Sequence, residues 1–184
     1  SKTPIIMRIF SSNVPTLTLV DLPGLTSVAC KDKGQPANIK EQIIELATSY
    51  IKNPRSLILG VMAARDDLET DMALELIKRH EPSGDRTIGI ITKIDLMNRG
   101  SDVNHYLEGR ISNDLKLKYG YFALKNRSLE ERISGTALDS FRIEGDYFSK
   151  NSVYKCKDRL GLLNIEGLLV NIMIESIREN LPII

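Results

Sequence analysis

The stretch RTIGIITKID, residues 86–95, decides the fold. From Arg86 to Thr92 it is apolar or β-branched at nearly every position, so the strand it predicts has two faces to cover. That is the pattern of a parallel-sheet strand packed between helices, not of an alternating half-exposed one. The strand then runs into Lys93, Ile94 and Asp95. Two charged residues thus stand where open parallel sheets present their ligand-binding loops, at the carboxyl end.

Working outward, the same pattern recurs. SLILGVM (56–62) is a second doubly buried strand, followed by the charged loop ARDDLETD, a helix marked by Met72, Ala73, Leu76 and Ile77, and the turn EPSGD. Downstream, residues 101–118 read as a helix and its exit, YFALK (121–125) as a strand, and TALDSFRIEGDYFSK (136–150) as a helix through Leu138, Phe141 and Phe148. Leu162, Ile165, Leu169, Ile172, Met173 and Ile177 mark a long amphipathic helix running to Leu181-Pro182. Upstream, IIMRIF (5–10) and TLTLV (16–20) are β-rich and separated by the turn SSNVP. A helix from Ala37 carries Ile39, Ile43, Ala47, Tyr50 and Ile51 on one face, and Asn53-Pro54 ends it. Strand and helix alternation of this kind predicts an α/β fold, a mostly parallel sheet with helices on both faces.

Composition bounds the function. The 184 residues suffice for one sizeable core, and 42% hydrophobic with 27% charged residues is ordinary for a soluble domain. A net charge of +1 argues against nucleic acid as partner. Cys30 and Cys156 stand apart in no metal-like spacing and read as free thiols of a reducing, cytoplasmic compartment. No apolar run approaches the roughly 18 residues that span a membrane.

Three expected strands end in polar residues suited to phosphate and base chemistry. After TLTLV comes Asp21-Leu22-Pro23-Gly24: a strand-end aspartate can hold Mg²⁺ through water, and a glycine lets a backbone N–H approach a phosphate. Taken alone, Asp before Pro-Gly is common turn punctuation. After RTIGII comes Thr92-Lys93-Ile94-Asp95, whose carboxylate can accept two parallel hydrogen bonds from the N1–H and exocyclic amine of guanine. The Lys93 stem can lie along the base. After YFALK comes Asn126-Arg127-Ser128.

DLPG and TKID in this order resemble the third and fourth guanine-nucleotide motifs of GTPases. The longer phrases LTLVDLPGLTSVA, QPANI, GDRTIGIITKIDLMNRGSD and NRS, with the closing IRENLP, are similar to the GTPase domain of the dynamin superfamily over essentially the whole chain. The resemblance implies GTP and GDP as ligands and Mg²⁺ as cofactor, with Asp21 at the metal through water and the Gly24 amide at the γ-phosphate. A second switch would run from Leu25 to about Pro36. It implies Thr92, Lys93 and Asp95 at guanine and ribose, and Asn126 and Arg127 closing over the base. It further implies self-association across the nucleotide, with Asp67 and Asn98 in loops that meet the partner, and a parent protein peripheral to a membrane that it remodels or severs. Residues 1–160 would be the C-terminal portion of that domain, and 161–184 the helix leading toward the bundle signalling element, with Pro182 as hinge.

There are departures. Leu129 stands where the family's NRSQ motif has glutamine, and Asn98 where it has an acid. No G-x-x-x-x-G-K-[ST] phosphate loop and no switch I threonine occur, so the chain is expected to begin inside the domain and to contain no catalytic residue of its own; these residues alone are expected to be inactive. Two alternatives stay open, an interferon-induced antiviral relative and a non-hydrolysing GTP-binding scaffold.

Overall fold

A computed structural model describes residues 4–12, 16–25, 29, 32, 34–64, 68–98 and 100–180, with residues 179 and 180 described by backbone only. It divides into two compact units, residues 1–54 and 55–184.

Among the described residues of the first unit the regular element is helix α1 (Ile39–Ile51), where Ile43, Ala47 and Ile51 repeat every fourth residue and are buried. Its start is held by Asn38, whose Oδ1 accepts from Gln42 Nε2 at 2.9 Å. The strands expected at 5–10 and 16–20 are not found: the described residues there take no helix or strand. Ile5, Ile6, Met7, Ile9, Phe10, Leu17 and Leu19 are exposed. The reason is that β propensity supplies a face but not a ladder. A strand exists only with a neighbour to receive its N–H and C=O groups, and an isolated pair is marginal in water. Asp21 therefore does not follow a sheet strand.

The second unit holds a three-stranded parallel sheet in the order β1 (Ile58–Ala63), β2 (Thr87–Thr92), β3 (Tyr121–Ala123). The register sets Leu59 beside Ile88, Val61 beside Ile90, and Ile90 beside Phe122. Alternation then divides the core. On one face Met62, Ile91, Tyr121 and Ala123 pack with Leu74 of α2 (Met72–His80), Tyr106 and Leu107 of α3 (Asn104–Leu107), and Phe148 of α5 (Asp139–Lys150). On the other, Ile88, Ile90 and Phe122 meet Ile165, Leu168, Leu169 and Ile172 of α6 (Leu162–Asn180). Helices thus lie on both faces, and β2 is buried on both, whereas β1, expected to be buried on both faces, is buried on one only. α6 covers the β2–β3 half only, leaving Leu59 and Val61 exposed.

Gly89 is fixed by the ring opposite. A Cβ there would lie 2.3 Å from Tyr121 Cδ1. That ring is itself held by its hydroxyl, which donates to the Leu115 carbonyl at 2.6 Å. The helix expected over 101–118 is broken into α3 and a 3₁₀ turn at Asn113–Leu115. Gly109, at φ 68°, takes the left-handed conformation that ends the first piece, and Ser112 caps the second. A short helix that the periodicity does not suggest, α4 (Leu129–Ser134), follows β3.

Candidate functional site

The parallel register puts the exits of β2 and β3 at one edge of the sheet, so the loops beginning at Lys93 and Leu124 leave from neighbouring strands. Pairing continues past the strands: Thr92 Oγ1 donates to Met62 O at 2.9 Å, Ala64 N to Thr92 O at 2.9 Å and Leu124 N to Ile91 O at 2.8 Å.

The chain then reverses on Lys93, at φ 60° and ψ 30° the one non-glycine residue with positive φ among those described. A lysine in this conformation costs of order 1–2 kcal/mol. It converts the strand into a 3₁₀ turn, Ile94–Leu96, in which Ile94 is buried as the anchor, Lys93 is exposed and Asp95 is half-buried. Among the described residues no side-chain hydrogen bond engages Asp95. Behind the turn, the Tyr147 hydroxyl of α5 donates to the Ile94 carbonyl at 3.4 Å. Burial and then the negative charge of Asp95 raise the phenol pKa of Tyr147. The Tyr154 phenol is raised by burial first and by Tyr147 next, with Asp102 and Asp95 contributing. The carboxylate of Asp95 therefore lies within electrostatic reach of half-buried Tyr147 and buried Tyr154.

The second loop is tied at several points. Lys125 is buried, its N–H donates to Glu144 Oε1 at 3.0 Å, and its ammonium meets Glu131 Oε2 at 2.5 Å. Glu131 Oε2 also accepts from Ser128 N at 2.7 Å, and Ser128 Oγ accepts from Glu131 N at 3.2 Å, a capping box that opens α4. Asn126 is exposed between these ties. The Arg127 guanidinium turns away to the Thr136 carbonyl at 2.7 Å and the Gly135 carbonyl at 3.5 Å, so its visible work is to close the 127–136 segment on itself. Leu129 begins α4 with its side chain exposed.

The structure thus brings Thr92, Lys93 and Asp95 to one strand exit and Asn126 and Arg127 to the adjacent one. Asn98 is exposed, its carbonyl accepting from Ser101 N at 3.1 Å. Asp67 lies outside the described residues. Asp21 and Gly24 belong to the first unit, both exposed, and a Cβ at Gly24 would meet nothing within 4 Å. An accessible carboxylate followed by open backbone fits a hydrated Mg²⁺, which is held by one or two carboxylates and otherwise by water and phosphate. Among the described residues no cluster of three or more His, Cys, Asp or Glu gathers as a self-sufficient metal site.

Three contributors escape the motif reading: Glu131, Glu144 and Tyr147. Ser128-x-x-Glu131 is a capping-box signature readable from sequence. Glu144 falls between Phe141 and Phe148 on the apolar stripe of α5, and a carboxylate at a core position is itself a signal. For Tyr147 the sequence offers no comparable sign.

The family model described as Dynamin family matches residues 1–94. The chain is 38% identical to dynamin-related protein dnm1 of Schizosaccharomyces pombe, over 99% of its own length and 23% of that protein. It is 39% identical to Dynamin-A of Dictyostelium discoideum, over 99% of its length and 21% of that protein. It is 38% identical to phragmoplastin DRP1A of Arabidopsis thaliana, over 99% and 29%. The chain therefore spans less than a third of the length of these relatives, and it belongs to the dynamin family.

Proposed function

We propose that the chain forms the guanine-reading and γ-phosphate-sensing part of a dynamin-type GTPase domain, in a protein that hydrolyses GTP to GDP and phosphate. One observation carries this: the strained Lys93 turns the end of β2 so that Asp95 is left without a protein hydrogen-bond partner among the described residues, beside the tied loop 125–128. Strain of this kind persists where the surroundings over-determine it, and it collects at binding sites.

In this reading the Asp95 carboxylate accepts from the guanine N1–H and amine, and the aliphatic stem of Lys93 lies along the base. Thr92 fixes the strand end from which both depart, while Asn126 and Arg127 bound the base on the β3 side. The Gly24 amide donates to the γ-phosphate. Mg²⁺ held through water at Asp21 would neutralise charge on the phosphate oxygens. The sequence contains no G-x-x-x-x-G-K-[ST], so hydrolysis by these 184 residues alone is not expected. The protein would self-associate through loops bearing Asp67 and Asn98, and would act in the cytoplasm, peripheral to a membrane that it remodels, without nucleic acid. Residues 1–160 would belong to the GTPase domain and 161–184 to the helix leaving it.

The deciding experiment is Asp95→Asn in the full-length protein. Xanthine presents a carbonyl where guanine presents an amine, so the variant, which keeps one neutral acceptor and turns an N–H₂ toward the guanine amine, should lose on the order of a hundredfold in GTP affinity and gain affinity for xanthosine triphosphate. Undiminished guanine preference in a fluorescent-nucleotide competition assay would remove Asp95 from the site.

A further inference from the structure

Glu144 is the charged side chain of α5 that is buried in the core, and both of its oxygens are spent on backbone amides of other elements. Oε1 accepts from Lys125 N at 3.0 Å, in the loop after β3. Oε2 accepts from Leu162 N at 2.7 Å, the first residue of the 19-residue α6. The two segments also meet directly, since Ala123 bridges Leu160 in parallel and Gly161 N donates to Ala123 O at 2.9 Å. The fit leaves no slack: at Gly161, φ +82°, a Cβ would stand 3.1 Å from Glu144 Oε2. A buried carboxylate with one oxygen on each of two elements is a rigid tie, because moving either element strands a charged acceptor in a dry place.

We infer that Glu144 is a positioning residue that locks the loop 125–128 to the amino end of α6, so that occupancy of that loop is transmitted to the helix. The inference rests on the guanine reading for what occupies the loop; the tie itself rests on the geometry. A charge-assisted bond to each side makes the helix start and the loop one mechanical body. Ordering of Asn126 and Arg127 by a bound base is then passed through the tie to Leu162 as added protection of the helix start.

The test is Glu144→Gln in the full-length protein. The side chain keeps its shape but retains one acceptor and turns an amide N–H₂ toward the other backbone donor. Amide hydrogen exchange followed by mass spectrometry should show faster exchange in both 123–130 and 160–166, with 87–92 unchanged. The dissociation constant for fluorescent GDP should rise about tenfold, the equivalent of one lost charge-assisted bond. In the unsubstituted protein, GDP should slow exchange in 160–166 as well as in 123–130, and the response in 160–166 should vanish in the variant. Unchanged exchange in either segment of the variant, or a wild-type 160–166 that ignores GDP while 123–130 responds, overturns the tie. A wild-type protein that does not bind GDP overturns the guanine reading instead, and the joint change in exchange then decides the tie alone. Should Glu144→Gln not fold, Leu162→Pro removes the α6 donor while leaving the carboxylate in place, at a first helical position that suits proline. It should uncouple 160–166 from GDP with 123–130 still protected, and retained coupling would overturn the tie.

Discussion

Ser128 and Glu131 cap one another, each side chain accepting the other's backbone N–H, and the same Glu131 oxygen receives the buried Lys125 ammonium. One carboxylate therefore starts α4 and neutralises the base of the loop that precedes it. The Lys125 ammonium first, and then the Ser128 N–H, hold the Glu131 carboxyl below its ordinary 4.5. An acid with a depressed folded-state pKa stabilises the fold above its unfolded value and ceases to do so as pH falls through the folded one. Glu131→Gln should therefore melt lower than the unsubstituted protein near neutrality. The gap should narrow as pH drops below 4.5; a gap independent of pH in thermal melts would show that the charge of Glu131 contributes nothing.

Gly89 admits no side chain. With a Cβ placed 2.3 Å from the Tyr121 ring, Gly89→Ala must displace a side chain that is 1% exposed and anchored by its hydroxyl. Overpacking of this kind costs about 1–3 kcal/mol, which should lower the urea midpoint without changing the slope. An unchanged midpoint would mean that the sheet relaxes freely around position 89.

Glu81 organises the turn that delivers the chain into β2. Its Oε1 accepts from Ser83 Oγ at 2.8 Å and Asp85 N at 2.8 Å, and its Oε2 from the buried Thr87 hydroxyl at 2.7 Å. Burial pushes this carboxyl up, yet the bonds from Thr87, Ser83 and the backbone of Asp85 and Arg86 outweigh it and leave it lowered. Glu81→Ala strands the Thr87 hydroxyl and should destabilise by about 1–3 kcal/mol, with Glu81→Gln milder because one acceptor remains. Equal losses in the two variants, read by chemical denaturation, would contradict the assignment.

Lys93 sets stability against binding. Replacing it by glycine releases a left-handed φ of 60° and should stabilise the fold by up to about 1 kcal/mol. Removing the stem that covers the base should at the same time weaken fluorescent GDP binding several-fold. A variant that is less stable and binds GDP unchanged would refute both halves.

How much of this could be read in advance follows from where the information lies. β2 and α6 are legible because their burial is written into consecutive or i, i+4 apolar residues, and Thr92-Lys93-Ile94-Asp95 is legible because strand exits are few and charged ones fewer. Residues 5–10 and 16–20 are misread because pairing is a relation between segments, which local composition does not encode. The break at Gly109 is visible as a glycine but not as the left-handed stop it becomes. The ties to Glu131 and Glu144 depend on contacts made across six and nineteen positions, which a motif of four letters cannot contain.

The Tyr147 hydroxyl resting on the Ile94 carbonyl has an optical consequence. These 184 residues include no tryptophan, so their six tyrosines dominate their near-ultraviolet emission. Tyr147 is the phenol whose back is against the turn bearing Asp95. Capture of that carboxylate by a ligand alters the charge facing the ring, which makes these 184 residues, unlabelled, their own indicator of whether that turn is occupied.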